Sequence, residues 1–227
     1  MTTDPTLYRL LAWSSPGYPT GAFSYSHGLE WAVETGDVKN LQGLLDYVTA
    51  VLSRGGGWVD AVLFVHAWRC ASEAELDTIT QLAAAFRGSS ETALESRQQG
   101  GAFLDVTRKA WPHPTLEAFA TRQAQTATPV AHCIAVAVAS AAHEIPLAPA
   151  LHAYIHAVAA NLVSAGARLI PLGQTQAQIA IAQLAPVITD SAERAQTTSL
   201  DDLGTAAPAI EICSLRHETQ YTRLFRS

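Results

Sequence analysis

Apolar residues recur along most of this chain with a helical period. Leu41, Leu44, Leu45, Val48, Val51 and Leu52 fall at i, i+3, i+4, i+7, i+10 and i+11, one face of a helix opening near Asn40. The next segment, Asp60 to Ala71, is apolar nearly all round through Val62, Leu63, Phe64, Val65 and Trp68, which predicts a helix enclosed by others. Ser72 with Glu75 reads as a capping box before the stripe Leu76, Ile79, Leu82, Ala83 and Phe86, which Gly88 ends. Further helices are predicted over Thr92 to Ala110 and, beyond Pro112 and Pro114, over Thr115 to Ala124. Thr128 and Pro129 are a cap and a first-turn proline leading into Val130 to His143. Leu151, Ile155, Val158 and Leu162 mark a helix from Ala148 to Ala165 that stops at Gly166, and a last one covers Gln174 to Leu184 before Pro186.

Almost no run alternates with period two, so the expected fold is all-α, a single-domain bundle of roughly ten helices over 1–227. From Phe119 to Thr189 the only charged side chains are Arg122, Glu144 and Arg168, which makes these alanine-rich helices the candidate core and dimer surface. Beyond Asp190 the polar run is expected to be a surface connection.

Composition narrows the function. Charged residues are 15% of the chain and hydrophobic ones 48%, so much surface is available for burial against partners. The net charge of -6 and the scattered basic residues argue against a nucleic-acid partner. Cys70, Cys133 and Cys213 have neither disulfide-framework nor zinc-site spacing, which points to free thiols and a cytoplasmic location. The start, with Asp4 and Pro5, does not read as a signal peptide, and no membrane association is expected.

Catalytic signatures are missing. Gly55, Gly56 and Gly57 run into Trp58 without the lysine and hydroxyl of a phosphate-binding loop, and neither GxSxG nor HExxH occurs. His152 and His156, at i and i+4, could place two imidazoles on one metal, which keeps a helical metal-dependent hydrolase as an alternative, but no third ligand is nearby. Cys133 beside His132 reads as a buried structural cysteine.

The last residues differ in kind. Arg216, Arg223 and Arg226 stand against Glu218 alone in an otherwise acidic chain, interleaved with Tyr221, Leu224 and Phe225. Arginines mixed with aromatic anchors suggest a partner-binding tail, flexible until bound, over 214–227. At the other end, the turn-rich stretch from Trp13 leads into Glu30 beside Phe23, Tyr25 and Trp31, a carboxylate placed for contact or for lining a channel.

Three separated segments resemble the UreF family of urease accessory proteins: Ser15-Pro16 through Pro19 with Gly21 to Ser26 and Gly28-Leu29-Glu30; Arg168-Leu169-Ile170-Pro171-Leu172-Gly173-Gln174; and Cys213 to Tyr221 with Arg223 to Ser227. Ser96-Arg97-Gln98-Gln99-Gly100 and Pro129 to His132 add weaker matches, and the order and spacing fit along the whole chain. The resemblance implies an all-helical, non-catalytic homodimer that joins a UreD (also called UreH) protein and the GTPase UreG in a complex that delivers nickel to apo-urease. It implies no tightly bound cofactor, nickel only passing through the complex, with a tail that orders on binding UreD. Carried over residue by residue, Glu30, Arg168 and Arg223 are the charged positions expected to matter, and Arg216, His217, Glu218, Tyr221 and Phe225 the expected UreD contacts. A generic helical adaptor for another GTPase is the remaining alternative.

Overall fold

The computed structural model describes residues 4–227, and among them are eleven α-helices, two short 3-10 turns and no strand. The helices are α1 (Pro5–Trp13), α2 (Leu29–Glu34), α3 (Leu41–Arg54), α4 (Gly56–Arg69), α5 (Glu73–Ala85), α6 (Ser90–Ala110), α7 (Pro114–Thr126), α8 (His132–Ala142), α9 (Leu147–Leu169), α10 (Gln174–Ala195) and α11 (Pro208–His217). The all-α expectation holds.

Local chemistry accounts for most of the starts. Asn40 accepts from the Gly43 amide at 3.0 Å to open α3. Ser89 and Thr92 cap α6 reciprocally, so it begins two residues before the predicted start. Ser72 caps α5 from the Glu75 amide at 3.3 Å, while the Glu75 carboxylate reaches back to the Ala71 amide at 3.1 Å, one residue beyond the usual partner.

The core is built around α4 and α8. From Cys133 to Ser140 every residue of α8 is buried, and α4 buries nine of its fourteen positions. α8 lies between α4 and α6, α10 packs along α9 and α3, and α11 closes over α2. Each fully buried side chain such as Phe64, Leu63 or Ile134 contributes about 1.5–3 kcal/mol of apolar burial. The run 41–69 is long and apolar enough to cross a membrane, but 67% of its most apolar window is buried within the fold and Gly55 divides it into α3 and α4.

Several boundaries differ from the sequence reading, each for a physical reason. Gly166 does not stop α9: a Cβ there would lie 2.6 Å from the Leu44 methyls, so this glycine admits a side chain of α3, and the helix continues to Leu169. α10 runs through Pro186 to Ala195, well past the predicted end at Leu184. The carbonyl that Pro186 leaves without its helical donor belongs to Ala182, and both residues are exposed, so the proline sits on the solvent side of the helix. Thr128 and Pro129 do not open α8, whose N-cap is Ala131. Residues 128–131 instead cross α6 closely at Gly100, where a Cβ would sit 2.0 Å from the Val130 carbonyl oxygen. The sequence reading placed no helix at α1 or α11.

Candidate functional site

The first and last motifs form one structure. Two turns in the left-handed region, Gly21 (φ 75°) and Gly28 (φ 78°), bring the chain into the six-residue α2. A Cβ on Gly28 would come within 2.7 Å of the Ser214 amide nitrogen, so only glycine lets α11 lie this close across the start of α2.

Glu30, only 7% exposed, accepts from the backbone amides of Leu224 at 2.6 Å and Phe225 at 2.9 Å, and from His217 Nε2 at 3.1 Å. Glu91, in the first turn of α6, accepts from His217 Nδ1 and from Arg223 Nη1, each at 2.7 Å. His217 is fully buried and uses both ring nitrogens to bridge the two carboxylates. Arg223 adds a guanidinium against Glu91, so the two carboxylates are joined by one bridging imidazole and met by one arginine.

The chain end is held the same way. The Arg226 amide donates to the Ser24 carbonyl at 2.8 Å, and the Ser227 carbonyl accepts from the Ser26 amide at 2.8 Å and from the Ser26 hydroxyl. Ser227 Oγ donates to Glu95, whose carboxylate also lies 3.5 Å from His27 Nδ1. Burial lowers the pKa of His27, but the hydrogen bond and charge of Glu95 outweigh it and the net shift is upward. Phe225 is buried, with the Arg168 guanidinium 4.4 Å over its ring, and Arg168 Nη2 donates to the Phe23 carbonyl at 2.9 Å. Glu218 accepts from the amide and hydroxyl of Ser90, both at 2.8 Å, which holds its carboxyl below the usual range and caps the start of α6.

The eight residues singled out from sequence thus divide. Glu30, Arg168, His217, Arg223 and Phe225 meet in one intramolecular cluster, with Glu218 beside it on α6. Arg216 and Tyr221 point to solvent, Tyr221 fully exposed. The tail expected to be flexible lies against the body, held there by His217, Arg223, Ser227 and the amides of Leu224 and Phe225. Sequence reading missed Glu91 and Glu95, and it quoted Ser26 within the first motif without giving it a role; Glu91 carried only the signal of an acidic residue in a helix's first turn.

α11 is built inside out. Its inner face presents Ile210, Ser214 and His217, while Ile212 and Leu215 are 55% and 49% exposed, and Leu224 in the tail is 64% exposed. Beside α11, a cavity of about 310 Å³ opens between the start of α4 and the turn joining α5 to α6, lined by His27, Arg87, Glu211 and Ser214.

A second buried polar group lies deeper. Arg87 Nη1 pairs with Asp60 at 2.8 Å, and Tyr154 Oη donates to the same carboxylate at 3.0 Å. Burial opposes the charge on Arg87, and Asp60 more than restores it. Burial also pushes the thiols of Cys133 and Cys213 up, and that of Cys70 to about 11, so none is poised as a nucleophile. His152 and His156 lie exposed on α9, and among the described residues no group of three His, Cys, Asp or Glu side chains is arranged to hold a metal ion.

A family model described as UreF matches residues 38–185. Along nearly the whole chain, including both terminal motifs, the protein is similar to proteins named urease accessory protein UreF. That of Rhodopseudomonas palustris (strain BisB5) is 50% identical over 225 residues, covering 98% of this chain and 91% of the relative. That of Granulibacter bethesdensis is 50% identical over 229 residues, covering 100% and 96%. That of Bradyrhizobium diazoefficiens is 47% identical over 224 residues, covering 97% and 91%. On the extent of this similarity and on the all-helical fold that carries it, the chain belongs to the UreF family of urease accessory proteins.

Proposed function

We propose that this protein is a non-catalytic subunit of a urease-maturation complex, a homodimeric cytoplasmic scaffold that bridges a UreD/UreH-type protein and a UreG-type GTPase while nickel passes to apo-urease. GTP hydrolysis belongs to the GTPase, and this chain holds no cofactor of its own.

The observation that carries the reading is the inverted C-terminal element. α11 and the tail turn Ser214, His217 and Phe225 inward and leave Ile212, Leu215, Tyr221 and Leu224 facing out. Folding alone gives no reason to leave Ile212, Leu215, Tyr221 and Leu224 outside, and outward apolar side chains on a tightly held segment are what a pre-organised docking surface requires. Glu30, His217, Arg223 and Phe225 then act indirectly, by holding that surface in shape. Relatives named as urease accessory proteins supply the context in which it is used.

Capture of purified UreD-type and UreG-type partners by the tagged chain tests this. Truncation before Arg216 removes His217 and strands Glu30 and Glu91, so point variants of exposed residues are more discriminating. Tyr221→Ala combined with Leu224→Ala is expected to leave thermal stability unchanged and to weaken capture of the UreD-type protein by tenfold or more. Full capture and full urease activation by that variant would overturn the assignment. Tight stoichiometric metal on the isolated protein would favour the hydrolase reading through His152 and His156.

A further inference from the structure

We propose that this protein binds a small inorganic oxyanion, such as phosphate or bicarbonate, in a second cavity between α6 and the start of α8. The site shares Arg87 with the cavity beside α11 but uses Ser96 and Arg97 of the Ser96-Arg97-Gln98-Gln99-Gly100 motif, to which the assembly role assigns nothing.

Ser96 is 8% exposed, and its hydroxyl is a buried polar atom with no hydrogen-bond partner. Leaving such a group unpaired costs about 1–3 kcal/mol. It lines a cavity of about 130 Å³ with Arg87, Arg97, Pro129 and Ala131. At the ~30 Å³ that a water molecule occupies, the space takes a ligand of about four or five heavy atoms.

Three features fix the sign of the ligand. α8 begins beside this cavity: its N-cap, Ala131, is part of the lining and no side chain caps the helix, so the positive end of an eleven-residue helix lies at the cavity wall. Gly100 permits this arrangement, because any Cβ would collide with the Val130 carbonyl oxygen and the His132 amide nitrogen. Two guanidinium groups line the space, and no carboxylate does. Arg87 is already paired with Asp60, whereas Arg97 makes no ion pair among the described residues and has its charge free for a ligand. A cation finds no acceptor suited to it; an oxyanion finds a hydroxyl donor, a free guanidinium and a helix start.

Isothermal titration of the full chain with sodium phosphate and, separately, sodium bicarbonate, against sodium chloride at matched ionic strength, distinguishes tetrahedral from planar ligands and both from general salt. We expect saturable 1:1 binding of at least one oxyanion, no chloride signal, at least tenfold weaker binding in Arg97→Gln and a severalfold loss in Ser96→Ala. Arg97 is exposed, so Arg97→Gln keeps the test valid even if Ser96→Ala is poorly folded. Absence of saturable binding to either anion, displacement by equimolar chloride, or affinity unchanged in Arg97→Gln would each overturn the proposal.

Discussion

Glu30 and His217 stand 187 positions apart in the chain, yet His217 Nε2 lies 3.1 Å from the Glu30 carboxylate, and neither side chain has appreciable contact with water. The same carboxylate receives the amides of Leu224 and Phe225, so one acidic residue near the N-terminus is bonded to three points of the C-terminal segment. Removing its charge leaves two amides and a buried imidazole competing for a poorer acceptor, a loss of about 2–5 kcal/mol for a buried charged pair. Glu30→Gln is expected to release residues 219–227, seen as faster amide hydrogen exchange there and faster tryptic cleavage after Arg223 and Arg226. Exchange as slow as in the parent protein would show that Glu30 does not hold the tail.

Two glycines with nearly equal dihedrals separate strain from crowding. Gly21 and Gly28 both sit in the left-handed region, but a Cβ meets nothing within 4 Å at Gly21 and meets the Ser214 backbone at 2.7 Å at Gly28. Gly21→Ala carries only the conformational penalty, about 1–2 kcal/mol. Gly28→Ala adds the displacement of α11 from α2 and is expected to lower the thermal midpoint clearly further and to expose the tail. Equal midpoints for the two variants would mean that α11 yields without cost.

Asp60 and Arg87 form the ion pair that joins α4 to the turn between α5 and α6, with Tyr154 of α9 bonded to the same carboxylate. Removing one partner leaves the other buried and uncompensated, so Asp60→Leu is expected to cost about 3–5 kcal/mol. The double replacement Asp60→Leu with Arg87→Leu is expected to recover much of that loss, because no charge is left stranded. Chemical denaturation of the two single variants and the double variant completes the cycle. A double variant as unstable as the sum of the singles would show that the two residues do not act as a pair.

How much of this was readable in advance follows from where polar groups are used. α3, α4 and α8 announced themselves because their inner faces are apolar, and Cys133 was rightly read as a buried structural residue. α11 escaped notice for the opposite reason: a helix that buries Ser214 and His217 and exposes Ile212 and Leu215 has no periodicity to detect. Glu30, Arg168, His217 and Arg223 were marked by resemblance, but no sequence spacing could reveal that Glu91 and Glu95 complete their cluster from α6. Gly166 was misread as a helix stop since its purpose, admitting Leu44, exists only in three dimensions.

His132 gives the fold a dependence on pH that can be isolated. Its ring packs between Phe103, at 5.9 Å between centroids, and Tyr154, at 5.4 Å, and burial lowers its pKa from 6.5 to about 4. Below pH 6.5 the unfolded chain takes up a proton here that the folded chain refuses until about pH 4, so stability falls as pH drops across that interval. At 1.36 kcal/mol per pKa unit the full loss is roughly 3 kcal/mol, an upper bound because the ring keeps some contact with solvent. His27 has the opposite sign: its raised pKa makes its contribution complete at acid pH and lost as pH rises through that value. Subtraction separates the two. His132→Phe keeps an aromatic ring and removes the titration, so the stability difference between parent and variant, from urea denaturation at closely spaced pH values, is expected to slope between pH 6.5 and 4 and to be level above 6.5. A difference that stays flat through the acid interval would mean that His132 takes up its proton as readily folded as unfolded.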